Sequence, residues 1–137
     1  MATLSKMSPY FEADFDAKNK TRFRSKGHSY LGDFQDYAPH IFRDLRMHFG
    51  VSESLYVEEL VQGLVELSEG AGRSGSDVFF SANDLFVVKT ITYSEGKLLR
   101  NILSQYYMHM KSNPHSLLVR IYGLYRVSAL KGGKDQR

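Results

Sequence analysis

The stretch "SGSDVFFSANDLFVVKT", residues 74–90, decides how this chain is read. Two runs rich in valine and phenylalanine, "SDVFFS" and "DLFVVKTIT", flank the turn "AND" at 82–84, which is the pattern of a β-hairpin. The second strand is expected over 85–92. In its middle sits Lys89, and a lysine in such an apolar run either snorkels to solvent or has an anion to meet. Strand alternation puts Val87 on the face of Lys89 and turns Val88 to the other side, into the core.

Working outward, "LVELS" (64–68) reads as a further strand, joined to the hairpin through the glycine-rich bend "EGAGRSG" (69–75). Downstream, Thr92 and Glu95 have the spacing of a capping box, with Ser94 as an alternative cap. The helix they open, about 95–111, is expected to bury Leu98, Leu99, Ile102, Leu103, Tyr106 and Met110. "SNPHS" ends it, and "LLVRIYGLYRV" (117–127) reads as a strand, bulged at Gly123. Upstream, Pro39 suits a first helical turn, with Ile41, Phe42, Leu45 and Phe49 inward, Arg43 and Arg46 elsewhere, and Gly50 as the stop. A short helix follows over 53–62, capped by Ser52, with Leu55, Tyr56 and Leu60 inward. The order helix, helix, three strands, helix, strand predicts an α+β domain on an antiparallel sheet.

The 137 residues suit one domain, and 42% hydrophobic with 24% charged residues is a globular composition. There is no cysteine, which excludes disulfides and thiolate metal sites. The five histidines have no metal-ligand spacing, so no metal site is expected in this chain. No apolar run reaches the roughly 20 residues of a membrane span. The net charge of +3 is local in origin: Lys18, Lys20, Arg22, Arg24 and Lys26 fall within ten residues that hold no acid. Without those five, 13 basic residues remain against 15 acidic ones. On a strand they line one face, a stripe roughly 26 Å long at about 3.3 Å per residue. Such a stripe suits an anionic membrane or a nucleic-acid backbone, or is a solvated edge strand whose lysines discourage aggregation. Phe23 is its single aromatic residue, so nucleic acid is not expected as a partner. Residues 1–16 lack periodicity and read as a loose leader.

The residues that carry chemistry are Gly72, Ser74, Gly75, Ser76, Lys89 and Glu95. A glycine-rich bend lets backbone N–H groups approach a phosphate, and the hairpin folds Lys89 back beneath it. Glu95 opens the next helix, where it can pair with Lys89 and hold it extended. Val87 can roof an adenine ring. Glycine loop, strand lysine and helix glutamate together form the arrangement of a kinase small lobe. The bland alternatives are a hairpin turn, a snorkelling lysine and a carboxylate favoured by the helix dipole.

The quoted stretch resembles the small-lobe signature of the phosphatidylinositol phosphate kinases, approximately SGSxFFxxxDDRFIIKT. "FQDYAPHIFRDLRMHFGV" (34–51), "SEGKLLRNILSQYYMHMKSNPHSLL" (94–118) and "IYGLYRV" (121–127) agree with the same family in order and spacing. Leu85 departs from it where arginine is frequent, and Asp77 where an apolar residue is. The resemblance implies a kinase-like N-terminal lobe over 34–127, preceded by a basic arm or strand (1–33) and followed by a polar tail (128–137). It implies that Lys89 contacts ATP phosphates, that Ser74, Gly75 and Ser76 cover them, with Gly72 in the approach, and that Glu95 is the lysine's partner. It further implies transfer of the ATP γ-phosphate to a phosphoinositide, phosphatidylinositol 4-phosphate becoming the 4,5-bisphosphate. Mg²⁺ ligands are expected in a C-terminal lobe that this chain lacks, which leaves the chain inactive alone. A cytoplasmic protein, peripheral at the plasma membrane or another anionic membrane through Lys18–Lys26, and a homodimer complete these expectations. The alternative is a non-catalytic dimerisation or membrane-binding module that modulates a full-length lipid kinase.

Overall fold

In the computed structural model, which describes Phe15, residues 20–24, 33–66 and 76–127, the expected hairpin forms with shorter strands than its hydrophobic pattern suggests. β4 (Val78–Ser81) pairs antiparallel with β5 (Val87–Lys89), with Val78 opposite Lys89, Phe79 opposite Val88 and Phe80 opposite Val87. Asp84 turns the chain at φ 57°, a left-handed conformation that aspartate tolerates, and its amide donates to the Ser81 carbonyl at 2.9 Å. β3 (Leu64–Glu66) adds to the other edge of β4, completing a sheet ordered β3-β4-β5.

A second sheet is ordered β1-β2-β6, built from Lys20–Arg24, Asp33–Tyr37 and Tyr125–Val127. Of the expected strand 117–127 only these last three residues are in a ladder. Leu117 and Val119 stand open to solvent, with no neighbouring strand among the described residues. Helix α1 (Pro39–His48) starts on Pro39 after Ala38, which lies at φ 44°, and stops at Gly50, at φ +76°. Helix α2 (Glu53–Val61) is capped by Ser52 Oγ, which accepts from the Leu55 amide at 3.2 Å. Helix α3 (Tyr93–Ser112) begins with the expected capping box between Thr92 and Glu95.

The core lies where α1 and α3 cover the β1-β2-β6 sheet. Ile41, Phe42 and Leu45 of α1 meet Leu103, Tyr107 and Met110 of α3, all at most 1% exposed. Each such side chain contributes roughly 1.5–3 kcal/mol by leaving water. Phe15 joins this core, its ring edge-on to Tyr107 at 5.5 Å, so this residue is no part of a loose leader. The rest of 1–16, and the tail 128–137, lie outside the described residues.

The expected helix faces are corrected on all three helices. On α3, Leu98 and Ile102 are exposed and Tyr107 takes the central place, its hydroxyl donating to Asp44 Oδ2 at 2.9 Å. On α2, Leu55 is exposed and Glu59 is buried beside Tyr56, because its carboxylate has partners in the β4–β5 turn. On α1, Arg46 is buried: its guanidinium lies 4.3 Å over the Tyr56 ring and donates to Glu53 and to the Tyr122 carbonyl. Arg46 thus ties α1, α2 and the approach to β6. Beside it, the Tyr56 and Tyr125 hydroxyls meet at 2.9 Å above Gly123. A Cβ at Gly123 would lie 2.7 Å from each of those oxygens, so a larger residue there would displace the tyrosine pair.

Candidate functional site

Alternation along β5 puts Val87 and Lys89 on one face, and the register adds Phe80 and Val78 from β4 and Val65 from β3. This face is open: Val65 is 66% and Val87 59% exposed. Lys89 is exposed too and, among the described residues, makes no hydrogen bond or ion pair. An ammonium thus stands at the end of a bare apolar surface. The opposite face, with Phe79, Ser81 and Val88, turns toward α2. Val88 is half-buried there rather than sunk into the main core.

The ladder continues past Lys89. The Thr90 amide donates to the Asp77 carbonyl at 3.0 Å, and the Asp77 amide donates to Thr90 Oγ1 at 2.8 Å. Ser76 therefore lies at the Lys89 end of the hairpin, where the glycine-rich bend enters. Gly72, Ser74 and Gly75 fall outside the described residues.

Glu95 is put to a different use from the one expected. Its Oε2 accepts from the Thr92 amide at 2.6 Å and from the Thr92 hydroxyl at 2.8 Å. These two bonds, the amide first, hold its carboxyl below the ordinary range, and the charge of Lys89 adds to this only at a distance. The Lys89–Glu95 ion pair is absent because the local capping box has claimed the carboxylate. Of the basic stripe, Lys20, Arg22 and Arg24 occupy alternate positions of β1, opposite Tyr37, Gln35 and Asp33 of β2. Lys18 and Lys26 lie outside the described residues.

What positions the hairpin is a residue that sequence reasoning missed. Glu59 is 2% exposed, and its Oε2 accepts from the Ser81 hydroxyl at 2.8 Å and the Asn83 amide at 3.2 Å. The Asn83 side-chain amide donates to Oε1, and Ser81 Oγ accepts from the Phe86 amide at 3.1 Å. These hydrogen bonds, the Asn83 side chain's first, lower the Glu59 pKa. One carboxylate on α2 thereby fixes the turn that brings Lys89 back opposite Val78. Its signal in the sequence was faint: a glutamate three residues after a buried tyrosine, on the same helical face.

On β2, Asp36 is a half-buried carboxyl opposite Tyr125 of β6. Burial raises the Asp36 carboxyl from an ordinary 3.8 to about 6, with Glu53 adding to the rise and Arg46 and His40 opposing it. Burial likewise raises the Tyr56 and Tyr125 hydroxyls, so both remain neutral donors near pH 7. No helix among the described residues is long and apolar enough to cross a membrane. No group of three or more His, Asp or Glu side chains that could hold a metal comes together among them either.

Two antiparallel sheets with a helix packed behind a lysine-bearing strand define a kinase-like N-terminal lobe. The family model for phosphatidylinositol-4-phosphate 5-kinase matches residues 61–137. Phosphatidylinositol 4-phosphate 5-kinase its3 of Schizosaccharomyces pombe is 42% identical over 130 residues, covering 89% of this chain and 17% of that protein. A probable phosphatidylinositol phosphate kinase of Dictyostelium discoideum is 40% identical over 146 residues, covering 95% of this chain and 20% of that protein. The type-1 alpha phosphatidylinositol 4-phosphate 5-kinase of Rattus norvegicus is 42% identical over 105 residues, covering 76% of this chain and 19% of that protein. The chain belongs to the phosphatidylinositol-4-phosphate 5-kinase family. It spans about a fifth of the length of these relatives.

Proposed function

We propose that this chain is the ATP-binding lobe of a phosphatidylinositol phosphate kinase. In this reading Lys89 meets the ATP phosphates, Ser74, Gly75 and Ser76 cover them with Gly72 in the approach, and Val87 packs on the adenine. The observation that carries it is the bare face of β5, where an unpaired ammonium adjoins exposed valines. An apolar surface ending in a free cation suits a ligand that is a flat ring at one end and an anion at the other. Glu95 acts in this reading as a positioning residue, holding the start of α3 through Thr92.

Phosphoryl transfer also needs acidic groups for Mg²⁺ and for orienting the attacking hydroxyl. The described residues bring no such group together, and the proposal assigns those roles to a second lobe. Joined to it, the enzyme would transfer the ATP γ-phosphate to phosphatidylinositol 4-phosphate, the substrate in the relatives' names. The basic residues Lys18, Lys20, Arg22, Arg24 and Lys26 would face the anionic membrane that holds it.

The test is ATP titration of this chain followed by amide NMR, beside its Lys89→Met variant. Saturable shifts on β4 and β5 are expected, with affinity reduced at least about tenfold in the variant. Equal binding by both would remove Lys89 from the site. In the two-lobed enzyme, Lys89→Met is expected to abolish labelling of phosphatidylinositol 4-phosphate vesicles.

A further inference from the structure

A half-open cleft of about 250 Å³ lies away from the Lys89 face, where the first turns of α3 meet the β2–β6 ladder. Tyr37, Tyr93, Ile91 and Leu124 supply apolar wall, the Arg100 guanidinium lies over two of these rings, and Arg126 also lines the cleft. No carboxylate lines it among the described residues. Arg126 shares the sheet face of Gln35, its cross-strand partner, and Gln35 is in turn opposite Arg22 in β1.

Arg100 is placed with some care. It falls on the stripe of α3 that continues as Leu103, Tyr107 and Met110, so a charged group stands where the buried side of the helix reaches its end. Its Nε donates to the Gly96 carbonyl at 3.1 Å. Its guanidinium lies 4.8 Å over the Tyr37 ring and 6.0 Å from the Tyr93 ring. Its terminal nitrogens, however, have no acceptor among the described residues, and neither does Arg126. A half-buried guanidinium fixed at Nε, with its terminal donors unpaired, is prepared for an oxyanion that can take two parallel hydrogen bonds.

We infer that this cleft binds a phosphate monoester, whose organic part rests on Tyr37 and Tyr93 while Arg100 and Arg126 hold the phosphate. Two arginines, with no acid among the described lining residues, match a dianion better than a single carboxylate. The small volume admits one ring or a short alkyl group beside the phosphate, and the aromatic walls favour such a group over bare inorganic phosphate. The site is independent of the nucleotide reading, since Lys89 has no part in it.

The probe is phenyl phosphate, titrated into the 137-residue chain and followed at the Tyr93 and Gly96 amide resonances. Saturable shifts are expected, with affinity lowered at least about tenfold in Arg100→Gln and in Arg126→Gln and unchanged in Lys89→Met. Arg126 is exposed, so its variant keeps the fold and the test survives if Arg100→Gln does not. Absence of saturation, equal affinity in the Arg126 variant, or benzoate binding as tightly as phenyl phosphate would each overturn the inference. Vesicles of phosphatidylcholine with phosphatidic acid separate the two sources of such an ester. Arg126-dependent sedimentation reversed by phenyl phosphate makes it a lipid headgroup, and phenyl phosphate binding without sedimentation makes it a soluble ester; both uphold the site.

Discussion

The two sheets of this lobe are stabilised in opposite ways. The β1-β2-β6 sheet is covered by α1 and α3, and its contacts are apolar side chains almost fully withdrawn from water. The β3-β4-β5 sheet leaves one face bare, and its other face is fastened to α2 by the carboxylate of Glu59. The first arrangement resists deformation because close packing permits few alternatives. The second keeps a surface free for a ligand and secures its turn by directional bonds instead. The difference teaches how each sheet holds its shape: one by close packing, the other by directional bonds that leave a face open.

The comparison breaks most visibly at Tyr107. Tyr107→Ala empties the centre of the core and is expected to cost about 3–5 kcal/mol, read from urea unfolding. Both sheets are expected to lose structure together in that variant, whereas Glu59→Ala is expected to separate them. Without the carboxylate, the Ser81 hydroxyl and the Asn83 amide lose their acceptor. Hydrogen-exchange protection at Ser81 and Phe86 is expected to fall about tenfold or more, with the α1 and α3 amides unchanged. Equal losses in both regions would mean that the two sheets form one cooperative unit.

The smallest effect lies within the β1-β2-β6 sheet itself. Asp36 has its folded-state pKa raised to about 6, so the fold gains from its protonated form. That contribution is fully present below about pH 4 and is lost as pH rises through 6. Asp36→Asn, neutral throughout, is therefore expected to be more stable than the parent at pH 8 by about 1 kcal/mol, after allowance for solvent screening of a half-exposed group. The two are expected to converge below about pH 4. Thermal unfolding across pH 3–8 checks both limbs.

What could be read in advance was whatever neighbouring residues dictate. The Thr92–Glu95 box, the Ser52 cap and the Asp84 turn each depend on residues within a few positions, and all three formed. The shared face of Val87 and Lys89 followed from strand alternation alone. Illegible were the groups whose partners are remote in sequence. Arg46 reaches a carbonyl 76 residues away, Tyr107 a carboxylate 63 away, and Glu59 a hydroxyl 22 away. Polarity marks such residues as surface until the partner is known. The expected Lys89–Glu95 pair failed for the converse reason, since a nearer partner, Thr92, was already in the sequence.

Gly123 has a historical consequence. Its missing side chain and the hydroxyls of Tyr56 and Tyr125 occupy one another's space, so the three positions cannot drift independently. Alanine at 123 would need both tyrosine side chains to give way, since its Cβ would lie 2.7 Å from each hydroxyl and 2.8 Å from Cε2 of Tyr125. Substitutions at these three positions are therefore coupled, and relatives with a larger residue at 123 are expected to differ at 56 or 125 as well.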